Sequence, residues 1–267
     1  MEIALGFLIA MAIALTGVGA GSMTTPILML AFGVPPVLAV GSSLAFGFVV
    51  KMVSTPVYLF RGQIHYRTLG MLLLGGLPGV VVGSFVLGML NRTATNDRLL
   101  YGLIGAIIAC TALIHLWRLA GKRPARLEKS RAGLLPWFAL PIGAEVGFSS
   151  AGAGALGSLL MLTLTPLTAA EVVGTDLAFG LVLSLVGSGF QITSGNFDGM
   201  LLAKLIAGGV AGAIVGSLLA GRVAQRPLRF ALLVALVILG AQLCWRATTG
   251  SPVARQTTLS SIALTAR

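Results

Sequence analysis

The sequence predicts an all-α polytopic membrane protein, and three observations predict it. The first is composition: 57% of the 267 residues are hydrophobic, 9% are charged, and the mean hydropathy is +0.99. A soluble domain carries about 25% charged residues. This chain cannot cover a water-facing surface, so its excess apolar side chains face lipid. The second is spacing: the apolar residues fall into about eight blocks, most long enough for one helical crossing of a ~30 Å hydrocarbon core. No run alternates apolar and polar over about ten residues, as a membrane barrel strand would. The third is a repeat, in which the chain restates its own motifs at a constant offset.

In chain order, the blocks span approximately 2–33, 36–60, 67–90, 98–117, 134–165, 168–193, 199–221 and 228–247. The first follows an amino end, M-E-I-A-L-G-F, without a basic region, so it reads as retained and not as a cleaved signal peptide. Blocks one and five are too long for one crossing. Each is interrupted by small residues, G-V-G-A-G-S from Gly17 to Ser22 and S-S-A-G-A-G from Ser149 to Gly154. Each is expected to form two half-helices around an unwound centre, as a broken or re-entrant span. The remaining six blocks read as single crossings, and glycine within them lets helices approach closely. Cys110 and Cys244 lie in apolar blocks and read as buried free thiols. His115 abuts the linker beside Trp117 and reads as interfacial.

The widest hydrophilic gap, Arg118 to Arg131, is strongly basic and divides the chain nearly in half. This gives a first transmembrane repeat over 1–117, a basic linker over 118–133, a second repeat over 134–248 and a tail over 249–267. Positive-inside bias places the linker in the cytoplasm. The net charge of +11 sits mostly in such gaps, which suits lipid headgroups; no aromatic-basic platform for nucleic acid is present.

A shift of 133 residues aligns the halves without gaps. G-A-G at Gly19 meets G-A-G at Gly152; V-G-S-S-L-A-F-G at Val40 meets V-G-T-D-L-A-F-G at Val173. Gly62 meets Gly195, and G-G-L-P-G-V-V-V-G-S at Gly75 meets G-G-V-A-G-A-I-V-G-S at Gly208. Two homologous four-segment repeats, each opening on an interrupted segment, are the pattern of secondary transporters with a midplane binding site. Re-entrant first segments make the halves inverted; single crossings make them parallel. The block lengths favour inversion. The glycine-rich faces allow packing within one protomer or between two, so a homodimer stands beside the monomer.

This layout resembles the TauE/SafE (sulfite exporter, TSUP) family. The resemblance rests on G-V-G-A-G-S-M-T-T-P-I-L, A-V-G-S-S-L-A-F-G-F-V-V-K-M-V-S and Y-L-F-R-G-Q-I-H-Y-R in the first half. In the second it rests on G-F-S-S-A-G-A-G-A-L and E-V-V-G-T-D-L-A-F-G. It implies a multi-pass carrier in the bacterial inner membrane for small sulfur-containing anions such as sulfite, sulfoacetate or related organosulfonates, with no cofactor.

A charged side chain deep in a bilayer costs at least about 2.5–3.5 kcal/mol, so it faces a cavity or a partner. Lys51 in block two is therefore a candidate anion ligand, by charge-assisted hydrogen bonds. Asp176 in block six is a candidate proton carrier that can also pair with Lys51. Glu145, before the second break, is a second candidate for coupling or for capping freed amides. Ser22, Thr24 and Thr25 follow the first break, and Ser149 and Ser150 open the second; with the amino ends of half-helices they can form an anion site. Ser42, Ser43 and Thr175, at the variable positions of the repeated V-G-x-x-L-A-F-G, are added as substrate contacts. Against these stands the habit of such hydroxyls of bonding their own helix. Arg61, Gln63, His65 and Arg67 read as a headgroup anchor. A passive anion channel on the same fold is the alternative. An enzyme is not expected, because the histidines, His65 and His115, sit in or near loops and no H-E-x-x-H occurs; direct ATP drive is not expected either, since no nucleotide-binding G-x-x-x-x-G-K-[ST] is present.

Overall fold

The computed structural model describes residues 2–16, 19–93, 97–120, 132–151, 153–219 and 225–249. Most of the basic linker, the tail beyond residue 249, and Gly17, Val18 and Gly152 of the two breaks lie outside the described residues. What is described is helical: α1 (Glu2–Thr16), α2 (Ala20–Ala31), α3 (Pro36–Phe60), α4 (Tyr66–Thr93), α5 (Asp97–Ala120), α6 (Leu135–Ser149), α7 (Ser158–Leu164), α8 (Ala169–Thr193), α9 (Gly199–Leu219) and α10 (Gln225–Thr249). A 3-10 turn over Ala132–Leu134 precedes α6, and a π turn over Ala153–Gly157 leads into α7. Six helices, α3–α5 and α8–α10, are long and apolar enough to cross a membrane. The protein is a multi-pass helical membrane protein.

The two long first blocks are each divided, into α1 with α2 and into α6 with α7. Their bounds obey the sequence offset: α1 and α6 are related by 133 residues, as are α3 and α8, and α2 corresponds to the π turn together with α7. Local chemistry explains the ends. Pro35 and Pro36 open α3, where a missing N–H costs nothing. Thr168 caps α8 in a capping box with Glu171. Gly62 and Gly195 take left-handed φ values of 65° and 73° just past α3 and α8, a conformation glycine adopts without a Cβ penalty. α6 stops on Ser150, held at φ 59°, and the chain re-enters helix through the wide π turn. α10 begins three residues earlier than its apolar pattern, with Pro227 in its first turn, where a missing N–H is tolerated.

Helix pairing is set by glycine stripes. Gly75, Gly79 and Gly83 of α4 lie against the carbonyls of Pro136, Leu140 and Ala144 of α6. Gly208, Gly212 and Gly216 of α9 lie in the same way against Ile3, Phe7 and Met11 of α1. Numbers rise together along both members of each pair, so these pairs are parallel, and both stripes pack within the protomer. α3 and α8 run antiparallel at the centre: Gly41 meets Gln191, Gly187 meets Leu44, and Gly180 meets Lys51. α5 and α10 are likewise antiparallel through Gly105 and Gly240. Phe46 and Phe179, both fully buried, each fill the space above a glycine of the opposite half, Gly209 and Gly76. The outer faces carry exposed Leu74, Phe85, Trp137 and Leu218, as lipid contact requires.

Candidate functional site

The central antiparallel pair places the charged residues. Lys51 lies midway along α3 and is 5% exposed; Asp176 lies in the first half of α8 and is 2% exposed. The Lys51 ammonium donates to the Gly180 carbonyl at 3.2 Å and to Ser184 Oγ at 3.1 Å. Gly180 makes this reach available, since a Cβ there would sit 2.6 Å from Lys51 Nζ. Asp176 Oδ2 accepts from Ser158 Oγ at 3.1 Å, while Oδ1 has no partner among the described residues. The two charges feel each other, yet they do not close into an ion pair: among the described residues the salt bridge within 4 Å is Lys204 with Glu2. Each charge thus keeps unused hydrogen-bonding capacity in a low-dielectric core, where such capacity is costly.

The breaks meet beside this pair. Gly19 touches Gly154, and Thr25 Oγ1 is hydrogen bonded to Ser150 Oγ at 2.5 Å. Ser158, which holds Asp176, also donates to the Gly154 carbonyl at 2.8 Å. Gly157 lies directly against Asp176 Oδ1. Ser22 and Thr24 are buried in α2; Ser22 donates to Gly19 O at 2.6 Å. Ser149 donates to Glu145 O and accepts from Ala151 N, so it serves the end of α6. Ser43 is fully buried and its hydroxyl has no partner among the described residues; the same holds for Ser54, and Thr55, also buried, has an unpartnered hydroxyl one turn beyond Lys51.

Other sequence candidates stand elsewhere. Ser42 accepts from Asp198 N at 3.1 Å, and Thr175 accepts from His65 N at 2.9 Å. These equivalent hydroxyls fasten the α8–α9 loop to α3 and the α3–α4 loop to α8. Glu145 is not brought to Lys51. Its Oε1 accepts from Thr111 on α5 at 2.6 Å, and it lines a cavity of about 430 Å³ with Val82, Ile107, Cys110 and Phe148. Sequence reasoning missed Ser158, Ser54 and Thr55. It also missed Arg229 at the start of α10, a guanidinium within electrostatic reach of Asp176 and Tyr58. The signal for Ser158 was the repeat, because it stands 133 residues after Thr25. For Arg229 it was a cation inside an apolar block.

Six span-length helices around a buried, hydroxyl-lined charge pair define the class: a multi-pass membrane protein with a polar site in its core. The chain belongs to the sulfite exporter TauE/SafE family, whose model matches residues 2–243, and membrane transport is its class of function. It is similar to the "Probable membrane transporter protein YjnA" of Bacillus subtilis (strain 168), 27% identical over 250 residues that cover 90% of this chain and 98% of that protein. No solved structure matches.

Proposed function

We propose that the protein is a secondary transporter of the bacterial inner membrane for a small sulfur-containing anion, sulfite, sulfoacetate or a related organosulfonate, with Lys51 as the central ligand. The observation that carries this reading is the ammonium of Lys51, buried in mid-span and held, among the described residues, by a carbonyl and a hydroxyl, with a half-satisfied carboxylate nearby. An oxyanion would take the remaining ammonium donor by a charge-assisted bond and draw on the free hydroxyls of Ser43, Ser54 and Thr55. The amino end of α2, at the meeting point of the breaks, adds partial positive charge.

Asp176 serves as the coupling group. A proton on Oδ1 would cancel its repulsion of the anion, so that anion and proton occupy the site together. The antiparallel run of α3 against α8 and of α5 against α10 supports inverted repeats, each with a re-entrant pair and three crossings. That architecture suits alternating access around a midplane site. Ser42 and Thr175 hold loops in this scheme and do not touch the anion.

Reconstitution in liposomes tests the proposal. Wild-type protein is expected to take up labelled sulfite or sulfoacetate saturably and to show counterflow; Lys51→Ala is expected to abolish both. Unitary currents without counterflow would instead establish a channel. Unchanged uptake by Lys51→Ala would remove the central ligand from the scheme.

A further inference from the structure

Arg229 lies in the second turn of α10, and its guanidinium is turned into the bundle. Its Nε and Nη2 atoms are shielded from the surface and have no hydrogen-bond partner among the described residues. These two donors form one edge of the guanidinium, with parallel N–H bonds spaced to grip two oxygens on a single atom. A buried guanidinium edge left unpaired is costly. The carboxylate facing it is Asp176, within electrostatic reach but beyond 4 Å, and Tyr58 faces it from α3. Tyr58 is fixed, since its hydroxyl donates to Ala14 O at 3.0 Å. Tyr58 also belongs to a small apolar cluster with Leu15, Val173 and Leu177, separate from the main core, and Leu228, the residue before Arg229, packs against it.

The polar surface runs on from the central site. Lys51, Thr55 and Tyr58 are spaced i, i+4 and i+7 and share one face of α3. All three are buried, and the Thr55 hydroxyl has no partner among the described residues. Arg229 stands at the end of this face. α10 runs antiparallel to α5, so Arg229 lies toward the membrane face where α5 ends and the basic linker begins.

We infer that the Nε–Nη2 edge of Arg229 is a second oxyanion position on the linker side of Lys51. It takes a small anion bearing two or more oxygens on one sulfur or carbon, as a waypoint between the central site and that mouth. The inference rests on Lys51 being the central ligand, and it is tested apart from it. A guanidinium in this place can answer to a free anion or to a lipid phosphate. Its shielded edge and its continuity with Lys51 favour the free anion.

The experiment is equilibrium binding of labelled sulfite, with thiosulfate and sulfoacetate as further probes, to purified full-length protein in lipid-free detergent. Wild type is expected to bind, and Lys51→Ala to keep a weaker binding event that belongs to Arg229. Lys51→Ala with Arg229→Gln is expected to bind none. Lys51→Ala with Arg229→Lys, which keeps charge without the fork, is expected to bind about tenfold more weakly than Lys51→Ala alone. The lysine variant guards against misfolding, because it preserves the buried charge. Binding by the Arg229→Gln double variant equal to that of Lys51→Ala overturns the second position, as does the absence of any binding to Lys51→Ala while wild type binds. Either result leaves Lys51 intact as ligand. Failure of wild type to bind any of the three probes overturns the sulfur-anion cargo on which both positions rest. The same titrations are repeated in nanodiscs of phosphatidylcholine with and without phosphatidylglycerol. Competition by the anionic lipid, confined to chains that retain Arg229, would reassign the edge to a lipid phosphate and overturn the waypoint.

Discussion

Lys51 and Asp176 share a membrane core without touching, and each is short of a partner. Asp176→Asn tests what the carboxylate adds. Asparagine keeps the shape and can keep the bond from Ser158, but it neither ionises nor binds a transferable proton. Uptake against a gradient, driven by an imposed proton gradient in liposomes, is expected to fall to the level of simple equilibration, while sulfite binding survives. Accumulation at the wild-type level would show that Asp176 does not couple. Both charges were legible in the sequence, because ionised groups in apolar blocks have few reasons to be there. The hydroxyls were not. Ser42 and Ser43 are adjacent in sequence, yet one fastens a loop and the other points at nothing, and only packing separates them. Arg229 was harder to read: it is a cation near the start of an apolar block, where a guanidinium resembles an interfacial anchor, and only the fold shows its Nε and Nη2 atoms to be buried.

At the scale of elements, the glycine stripes decide which helices touch. A side chain at Gly79 would run into the backbone of Leu140, and one at Gly212 into that of Phe7. Neither neighbour can yield as a flexible side chain would. Gly79→Leu and Gly212→Leu are each expected to destabilise the bundle by about 1–3 kcal/mol or more, read as a lower unfolding midpoint in detergent. Gly88, also in α4, has nothing within 4 Å, so Gly88→Leu is expected to leave the midpoint in place. A common effect of all three would mean that helix propensity, not close approach, is being measured. The number and bounds of the long helices followed from block lengths. The π turn at Ala153–Gly157 did not, since alanine and glycine there permit several backbone paths; in the fold Gly157 packs directly against Asp176 Oδ1.

For the whole molecule, the antiparallel central pair makes a directional statement. Arg61 just past α3 and Ser194 just past α8 are both exposed and 133 residues apart. If α3 and α8 cross in opposite senses, these positions emerge on opposite faces. In the proposed inverted arrangement Arg61 emerges on the side where α5 ends, and positive-inside bias would put that side in the cytoplasm. In a chain with Cys110 and Cys244 replaced by serine, Ser194→Cys is expected to react with an impermeant maleimide on intact cells, and Arg61→Cys only after permeabilisation. Equal labelling of both from outside would refute the inverted arrangement.

The bond from Lys51 to Ser184 joins two residues exactly one repeat apart, so it lies close to the axis that would exchange the halves. An anion held there stands at half the electrical distance across the bilayer from either mouth. A full crossing of one elementary charge is worth about 2.3 kcal/mol per 100 mV, and half of that acts on each leg. With the cell interior negative, an uncompensated monoanion gains on both legs when leaving and loses on both when entering. On the proposed reading, voltage by itself therefore favours exit of the anion over entry. Import would require a positive charge travelling with the cargo, and the acid that one half carries where the other has serine is the group placed to supply it.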